Sequence, residues 1–101
     1  MAHKINWTKQ ARKQFNEIVS YLESEWSERT AVKFVKKANE IFELLSIYPE
    51  AGSNEIRKLN IRGFLISKQV KVFYELLPKE ILLINFFDNR LNPDKKLKKY
   101  K

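Results

Sequence analysis

Residues 70–87 read VKVFYELLPKEILLINFF, and this stretch decides what kind of fold the chain can adopt. Its first part, Val70–Leu76, is rich in β-branched and aromatic side chains, and residues 77–80 include a proline that is typical of a turn. The second part, residues 81–87, is almost entirely apolar, as expected for an interior strand that is covered on at least one face. Residues 70–87 therefore predict two antiparallel strands inside a sheet.

Further strands are predicted on either side in sequence. From Glu55 onward the apolar residues no longer recur at helical spacing and instead alternate with polar ones. We expect a strand over residues 56–61, a turn at Arg62 and Gly63, and a strand over residues 64–68. Residues 3–7 alternate in the same way, which predicts a short first strand.

Two amphipathic helices are predicted between the first strand and the later ones. Thr8 suits a helix N-cap, and after it apolar residues recur every three or four positions as far as Leu22. Ser27 opens a second run with the same spacing, which stops at residues 48–52 (YPEAG). The short connection predicts an antiparallel helical hairpin. The fold class is therefore α+β, with an N-terminal strand and a helical hairpin on one face of a predominantly antiparallel sheet of four to five strands.

The aromatic residues of these elements fall at helical or strand period, which predicts core positions rather than a platform for stacking bases. These residues are Trp26, Phe34, Phe42, Phe64, Phe73, Phe86 and Phe87.

Composition restricts the class of protein. The 101 residues, 44% hydrophobic, fit one folded domain over residues 1–101, with a basic tail over residues 88–101. The chain has no cysteine and no apolar run near the roughly 18 residues that a membrane span needs, and we expect no signal peptide. We therefore expect a cytoplasmic protein without membrane contact. With only Gly52 and Gly63, and no His and carboxylate residues at ligand spacing, we expect no cofactor and no metal.

The positive charge is unevenly placed along the chain. Residues 1–54 hold eight Lys and Arg against seven Asp and Glu, whereas residues 55–101 hold twelve against five, within a net charge of +8. A basic half of this kind favours a polyanionic or acidic partner, although solubility alone would also explain it.

Five segments, in their order and spacing, resemble the RelE/ParE toxins of bacterial type II toxin–antitoxin systems. They are residues 49–52 (PEAG), 56–59 (IRKL), 72–75 (VFYE), 86–90 (FFDNR) and 92–93 (NP). The resemblance implies a growth-inhibiting toxin, associated with plasmid stabilization and silenced by a cognate antitoxin in a hetero-oligomer. RelE-like members cleave mRNA on the ribosome, and ParE-like members poison DNA gyrase without being nucleases.

The residues that a metal-independent endoribonuclease needs can be sought one by one. Cations must oppose the charge that grows on the phosphate, and Arg62, Lys71 and Arg90 are the candidates. By the resemblance, Lys71 and Arg90 fall where RelE-like members carry arginines. Lysine at position 71 lacks the planar fork that grips a phosphate. Further binding candidates are Lys68, Arg57, Lys58, Tyr74, Asp88 and Asn89.

The acid and base set of such a nuclease is incomplete. Residues 91–96 lack the tyrosine that RelE-like members place there, Tyr100 comes late, and His3 is expected at the surface. Tyr74 also suits the core, and Arg90 also suits an ion pair with Asp88. Three functions stay open at this point: a ParE-like gyrase poison, which we favour slightly, a RelE-like ribonuclease, and a non-catalytic basic module that binds nucleic acid or an acidic protein.

Overall fold

The structure is a computed structural model that describes residues 2–91. Two helices pack on one face of a five-stranded mixed sheet, which confirms the predicted fold class. In chain order the elements are β1 (Lys4–Trp7), α1 (Lys9–Glu25), α2 (Glu28–Ile47), β2 (Ser53–Ile56), a 3₁₀ turn (Arg57–Leu59), β3 (Ile61–Leu65), β4 (Val70–Leu76) and β5 (Glu80–Asp88). The predicted tail lies outside the described residues from residue 92 onward.

The sheet has the strand order β1-β5-β4-β3-β2. β1 runs parallel to β5, and the other three pairings are antiparallel. The apolar stretch in residues 81–87 therefore has a neighbour on each side, as its sequence predicted. β1 pairs only as far as Leu83, and beyond that point the Gln14 side chain of α1 accepts a hydrogen bond from the Phe86 backbone amide (2.9 Å).

The helices begin where their caps predict. The Thr8 hydroxyl accepts a hydrogen bond from the Ala11 amide, and the Ser27 hydroxyl accepts one from the Thr30 amide, both at 3.0 Å. These bonds satisfy amide groups that have no partner within their own helix. The cap residues thus set the start of both helices.

The main core lies between the hairpin and the sheet. At its centre Trp7 stacks on Phe86 (5.4 Å between ring centroids) and meets Phe15 and Phe42 edge to face. A smaller apolar cluster, built around Phe73, lies on the opposite face of the sheet. The sheet therefore has a helix-packed face and a second face, and successive β4 residues alternate between them.

Three details of the sequence-based prediction are wrong. The predicted strand over residues 56–61 is a strand only at its ends, because Arg57–Leu59 form a 3₁₀ turn. The turn expected at Arg62 and Gly63 occurs instead at Asn60, which adopts a left-handed conformation (φ 56°) that asparagine tolerates. Trp26 is 64% exposed rather than in the core, because it follows the last turn of α1 in the hairpin connection.

Candidate functional site

The loop after α2 is fixed by two of the candidate site residues. The Tyr74 hydroxyl donates to the Pro49 carbonyl (2.7 Å) and accepts from the Gly52 amide (3.0 Å). Arg62, which lies opposite Tyr74 on the neighbouring strand, donates to the carbonyls of Glu50 (3.1 Å) and Gly52 (2.8 Å). We call this arrangement of residues 49–52, Arg62 and Tyr74 the loop clamp.

Burial raises the pKa of the Tyr74 phenol above its ordinary value of 10.0. The hydrogen bond from the Gly52 amide and the nearby charge of Arg62 act in the opposite direction but are smaller. Tyr74 is fully buried and therefore remains a neutral hydrogen-bonding group at physiological pH.

Gly52 is required in the loop clamp because it has no side chain. A Cβ at this position would lie 2.6 Å from the Tyr74 hydroxyl and 2.7 Å from the Gly63 carbonyl oxygen. Both distances are shorter than a carbon atom tolerates, so any side chain would displace the loop or the strand. The sequence PEAG thus ends α2 and also docks the loop on the sheet.

Lys71 lies on the other face of the sheet from the loop clamp. Its ammonium group is 2.5 Å from the Glu55 carboxylate, and both side chains are largely buried. Ser53 donates to the same carboxylate oxygen (2.7 Å). Gly63 leaves room for this ion pair, because a Cβ there would lie 2.6 Å from the Lys71 Cε atom.

Arg90 is held at the end of β5 by Asp88. Its Nε and Nη2 atoms donate to the two Asp88 carboxylate oxygens at 2.9 and 2.7 Å, and its backbone amide donates to the first at 2.8 Å. The Asp88 side chain is 1% exposed, so the arginine neutralises a buried charge. The hydrogen bond to Asp88 raises the pKa of Arg90. The guanidinium group also lies over the Tyr21 ring of α1 (5.3 Å).

The structure does not bring Arg62, Lys71 and Arg90 together. Arg62 is directed to the loop after α2, Lys71 lies on the opposite face of the sheet, and Arg90 lies beside α1. Each of the three cations is occupied by a partner within the protein. Their proposed role in catalysis stays a prediction.

The remaining candidates are also dispersed. Arg57 and Lys58 are exposed in the 3₁₀ turn, and Lys68 is exposed in the loop between β3 and β4. Asn89 is exposed after β5, where its backbone amide donates to the Gln69 carbonyl (3.0 Å). The sequence order alone could not show that these residues would lie on separate parts of the surface.

Sequence reasoning missed a cationic face on α1. Lys9, Arg12 and Lys13 lie along a groove of about 920 Å³ that follows the outward side of the helix, from Trp7 at one end past Tyr21 towards the other. Neither of the two ion pairs within residues 2–91 involves these three cations. The signal was present in the sequence, because the first turn of α1 contains no acidic residue. We call Lys9, Arg12 and Lys13 the α1 cation cluster.

Comparisons with known proteins agree with this architecture. A chromosomal ParDE toxin–antitoxin system from P. aeruginosa superposes with a TM-score of 0.71 at 15% identity, over 86% of this chain and 96% of that one. The YoeB/ParE toxin from Agrobacterium tumefaciens gives a TM-score of 0.58 at 16% identity, over 84% and 96% of the two chains. The E. coli DinJ-YafQ toxin–antitoxin complex gives 0.55 at 11% identity, over 89% and 96%.

The shared fold is therefore that of small α+β toxins. A family model described as the ParE toxin of the type II toxin–antitoxin system, parDE, matches residues 5–90. The chain belongs to the ParE toxin family of type II toxin–antitoxin systems. The search of curated protein sequences finds no match. Neither α1 nor α2, the two long helices within residues 2–91, has the apolar length to cross a membrane.

Proposed function

We propose that this toxin stops growth in the cytoplasm by binding DNA gyrase rather than by cleaving RNA. The observation that carries the proposal is the separate engagement of Arg62, Lys71 and Arg90. Cleavage of a phosphodiester needs several cations at one phosphate, and these three would have to leave their partners and gather from different faces. A binding toxin needs no such rearrangement.

The acid and base groups support the same proposal. The Tyr74 hydroxyl is buried and already makes two hydrogen bonds, so it is not available to a substrate. His3 lies at the start of β1, where its backbone amide donates to the Ser46 carbonyl (2.8 Å) at the end of α2. Among the described residues, neither Tyr74 nor His3 makes a hydrogen bond with Arg62, Lys71 or Arg90.

We also propose that a cognate antitoxin holds the toxin inactive in a hetero-oligomer. Exposed apolar side chains on the last turns of α2, Leu44, Ile47 and Tyr48, support this part of the proposal. Their helical spacing places them on one side of the helix end, and exposed apolar patches mark protein interaction sites. A partner with an apolar surface would bury them.

The test is induced expression in a bacterium, with and without the small reading frame beside the gene, while plasmid supercoiling and translation are followed. We expect growth arrest that the neighbouring frame relieves, with supercoiling lost before translation declines. An empty expression vector serves as the inactive control. Early loss of translation with cut mRNA would instead favour ribosome-dependent cleavage, and normal growth at confirmed soluble expression would contradict the toxin assignment.

A further inference from the structure

We infer that the α1 cation cluster is a contact surface for the phosphate backbone of duplex DNA. The inference rests on the proposed function, in which the target is an enzyme that acts on DNA. It concerns Lys9, Arg12 and Lys13, together with the two aromatic residues that line the same groove, Trp7 and Tyr21.

Two of the three cations, Lys9 and Lys13, have no role in holding the fold together, whereas Arg12 lies over the Trp7 ring. Lys9 and Lys13 are exposed, and neither forms an ion pair with any residue among 2–91. Their position in the first turns of a helix is electrostatically unfavourable, because the helix dipole places a positive potential there. A charge that the fold neither uses nor favours indicates a role outside the fold.

The length of the groove suits a row of several phosphates. An arginine covers an aromatic ring at each of two positions along it: Arg12 lies 4.3 Å from the Trp7 centroid, and Arg90 lies 5.3 Å from that of Tyr21. At a rise of about 1.5 Å per residue, Lys9 and Tyr21 are about 18 Å apart along the helix axis. One DNA strand carries a phosphate about every 3.4 Å of its axis, so this length spans about five phosphates.

The lining of the groove suits DNA better than it suits an acidic helix of a protein. A helix that docks in a groove needs apolar anchor positions, one turn apart, to receive its apolar face. Between Trp7 and Tyr21 the groove presents instead the neutral polar side chains of Asn16 and Ser20, with Glu17 as its one carboxylate among the described residues. A phosphate backbone requires cations and hydrogen-bond donors but no apolar anchors.

Another groove on the same hairpin, between α1 and α2, has a different lining. It includes the apolar side chains of Val19, Val32 and Val35, and its charged residues are three carboxylates, Glu23, Glu40 and Glu43, and one cation, Lys36. The excess of carboxylates would repel DNA, and the apolar side chains suit a protein. The two sides of the hairpin therefore differ in the chemistry of the partner that each would accept.

The test is the binding of a fluorescent duplex of about 20 base pairs to the full-length toxin, measured over a range of salt concentrations. The variant carries Lys9→Gln, Arg12→Gln and Lys13→Gln. The matched control carries Lys33→Gln, Lys36→Gln and Lys37→Gln, which removes the same charge from exposed positions on α2. We expect the first variant to bind at least about tenfold more weakly and to lower the slope of log affinity against log salt by about 2.7, with little change in the control.

Equal losses in the two variants would overturn the inference, since net charge alone would then explain binding. Tighter binding to single-stranded RNA, or equal binding to poly-glutamate, would overturn it in favour of another partner. Inhibition of purified gyrase by the wild-type chain is measured in parallel. If gyrase is not inhibited, the proposed function fails while the DNA result stands on its own; if gyrase is inhibited and the variant binds DNA normally, the inference alone fails.

Discussion

The cations of β3, β4 and the end of β5 differ from those of α1 in how the protein uses them. The second half of the chain carries most of the net positive charge, yet Arg62, Lys71 and Arg90 each bind a partner inside the protein. Residues 1–54 are almost neutral in sum, yet they contain the α1 cation cluster, which makes no ion pair with the described residues. Net charge along a sequence therefore does not show which individual cations are engaged within the protein.

The loop clamp should be the most sensitive part of the second half. We expect Gly52→Ala to lower the free energy of unfolding by about 3 kcal/mol or more, because the new carbon would push the Tyr74 hydroxyl away from its two partners. Urea unfolding followed by circular dichroism measures the change. Ala51→Ser, which adds one atom to the exposed neighbouring residue, should leave stability unchanged. A stable Gly52→Ala variant would show that the loop docks differently.

Arg90 should stabilise the fold through Asp88. Arg90→Ala leaves the buried Asp88 carboxylate without this cation, and we expect the free energy of unfolding to fall by about 2–3 kcal/mol. The loss is not larger because the arginine itself is partly exposed. Adding Asp88→Asn should recover a large part of that loss, because the uncompensated charge is then gone. A double-mutant cycle of urea unfolding measures the coupling. If the two changes are additive, the ion pair does not stabilise the fold.

Tyr74→Phe should lower the free energy of unfolding by about 2 kcal/mol, because the Gly52 amide and the Pro49 carbonyl lose their hydrogen-bond partner. It should also change the response to alkaline pH. The unfolded tyrosine ionises near 10.0, while the folded phenol has a raised pKa, so its contribution is complete below pH 10 and is lost as pH rises above it.

Wild-type stability should therefore fall above pH 10 more steeply than that of Tyr74→Phe. Thermal unfolding between pH 8 and 11 measures the two slopes, and the exposed Tyr48→Phe should behave like wild type. Identical slopes for wild type and Tyr74→Phe would contradict the burial of this phenol.

The Lys71 ion pair should have a smaller effect. Lys71→Met removes the ion pair between Lys71 and Glu55, but both side chains retain some contact with water, so we expect the free energy of unfolding to fall by about 1 kcal/mol. Lys68→Met, at an exposed position in the adjacent loop, is the control and should change stability little. An equal effect in both variants would mean that the buried pair is not stabilising.

The α1 cation cluster should show the smallest effect on stability, and its sign should be opposite. Replacing Lys9 and Lys13 by glutamine, with Arg12 kept over the Trp7 ring, should stabilise the protein by a few tenths of a kcal/mol, because positive charge leaves the positive end of the helix dipole. Thermal unfolding at low salt measures it, and the gain should shrink as salt is added. A loss above about 1 kcal/mol would show that these cations belong to the fold.

Much of the fold could be predicted from the sequence because its signals are local. The caps at Thr8 and Ser27, the helical spacing and the apolar strand in residues 81–87 all act within a few residues. The turn at Asn60 was missed because Gly63, a residue type common in turns, led us to predict the turn at residues 62–63. In the structure Gly63 instead allows close packing against Lys71.

The candidate site was harder to predict, because partners decide what a charged residue does. Nothing in the sequence near Lys71 shows that Glu55, sixteen positions earlier, lies beside it. The ion pair of Arg90 with Asp88 was predicted as an alternative to a catalytic role for Arg90. The two residues are only two positions apart at the end of a strand, so their side chains can reach each other. The roles of Arg62 and Tyr74 in the loop clamp depend on contacts across the sheet, which the sequence does not show.

The central claim is that the toxin acts by binding, and that Arg90 serves the fold rather than catalysis. Its most direct test is the variant that carries both Asp88→Asn and Arg90→Gln, in which an amide pair replaces the ion pair. We would induce this variant and the wild type at matched levels of folded protein, and follow growth, plasmid supercoiling and mRNA integrity. We predict that the variant still arrests growth with loss of supercoiling and intact mRNA. A folded variant that no longer arrests growth, beside a wild type that cuts mRNA, would contradict the account.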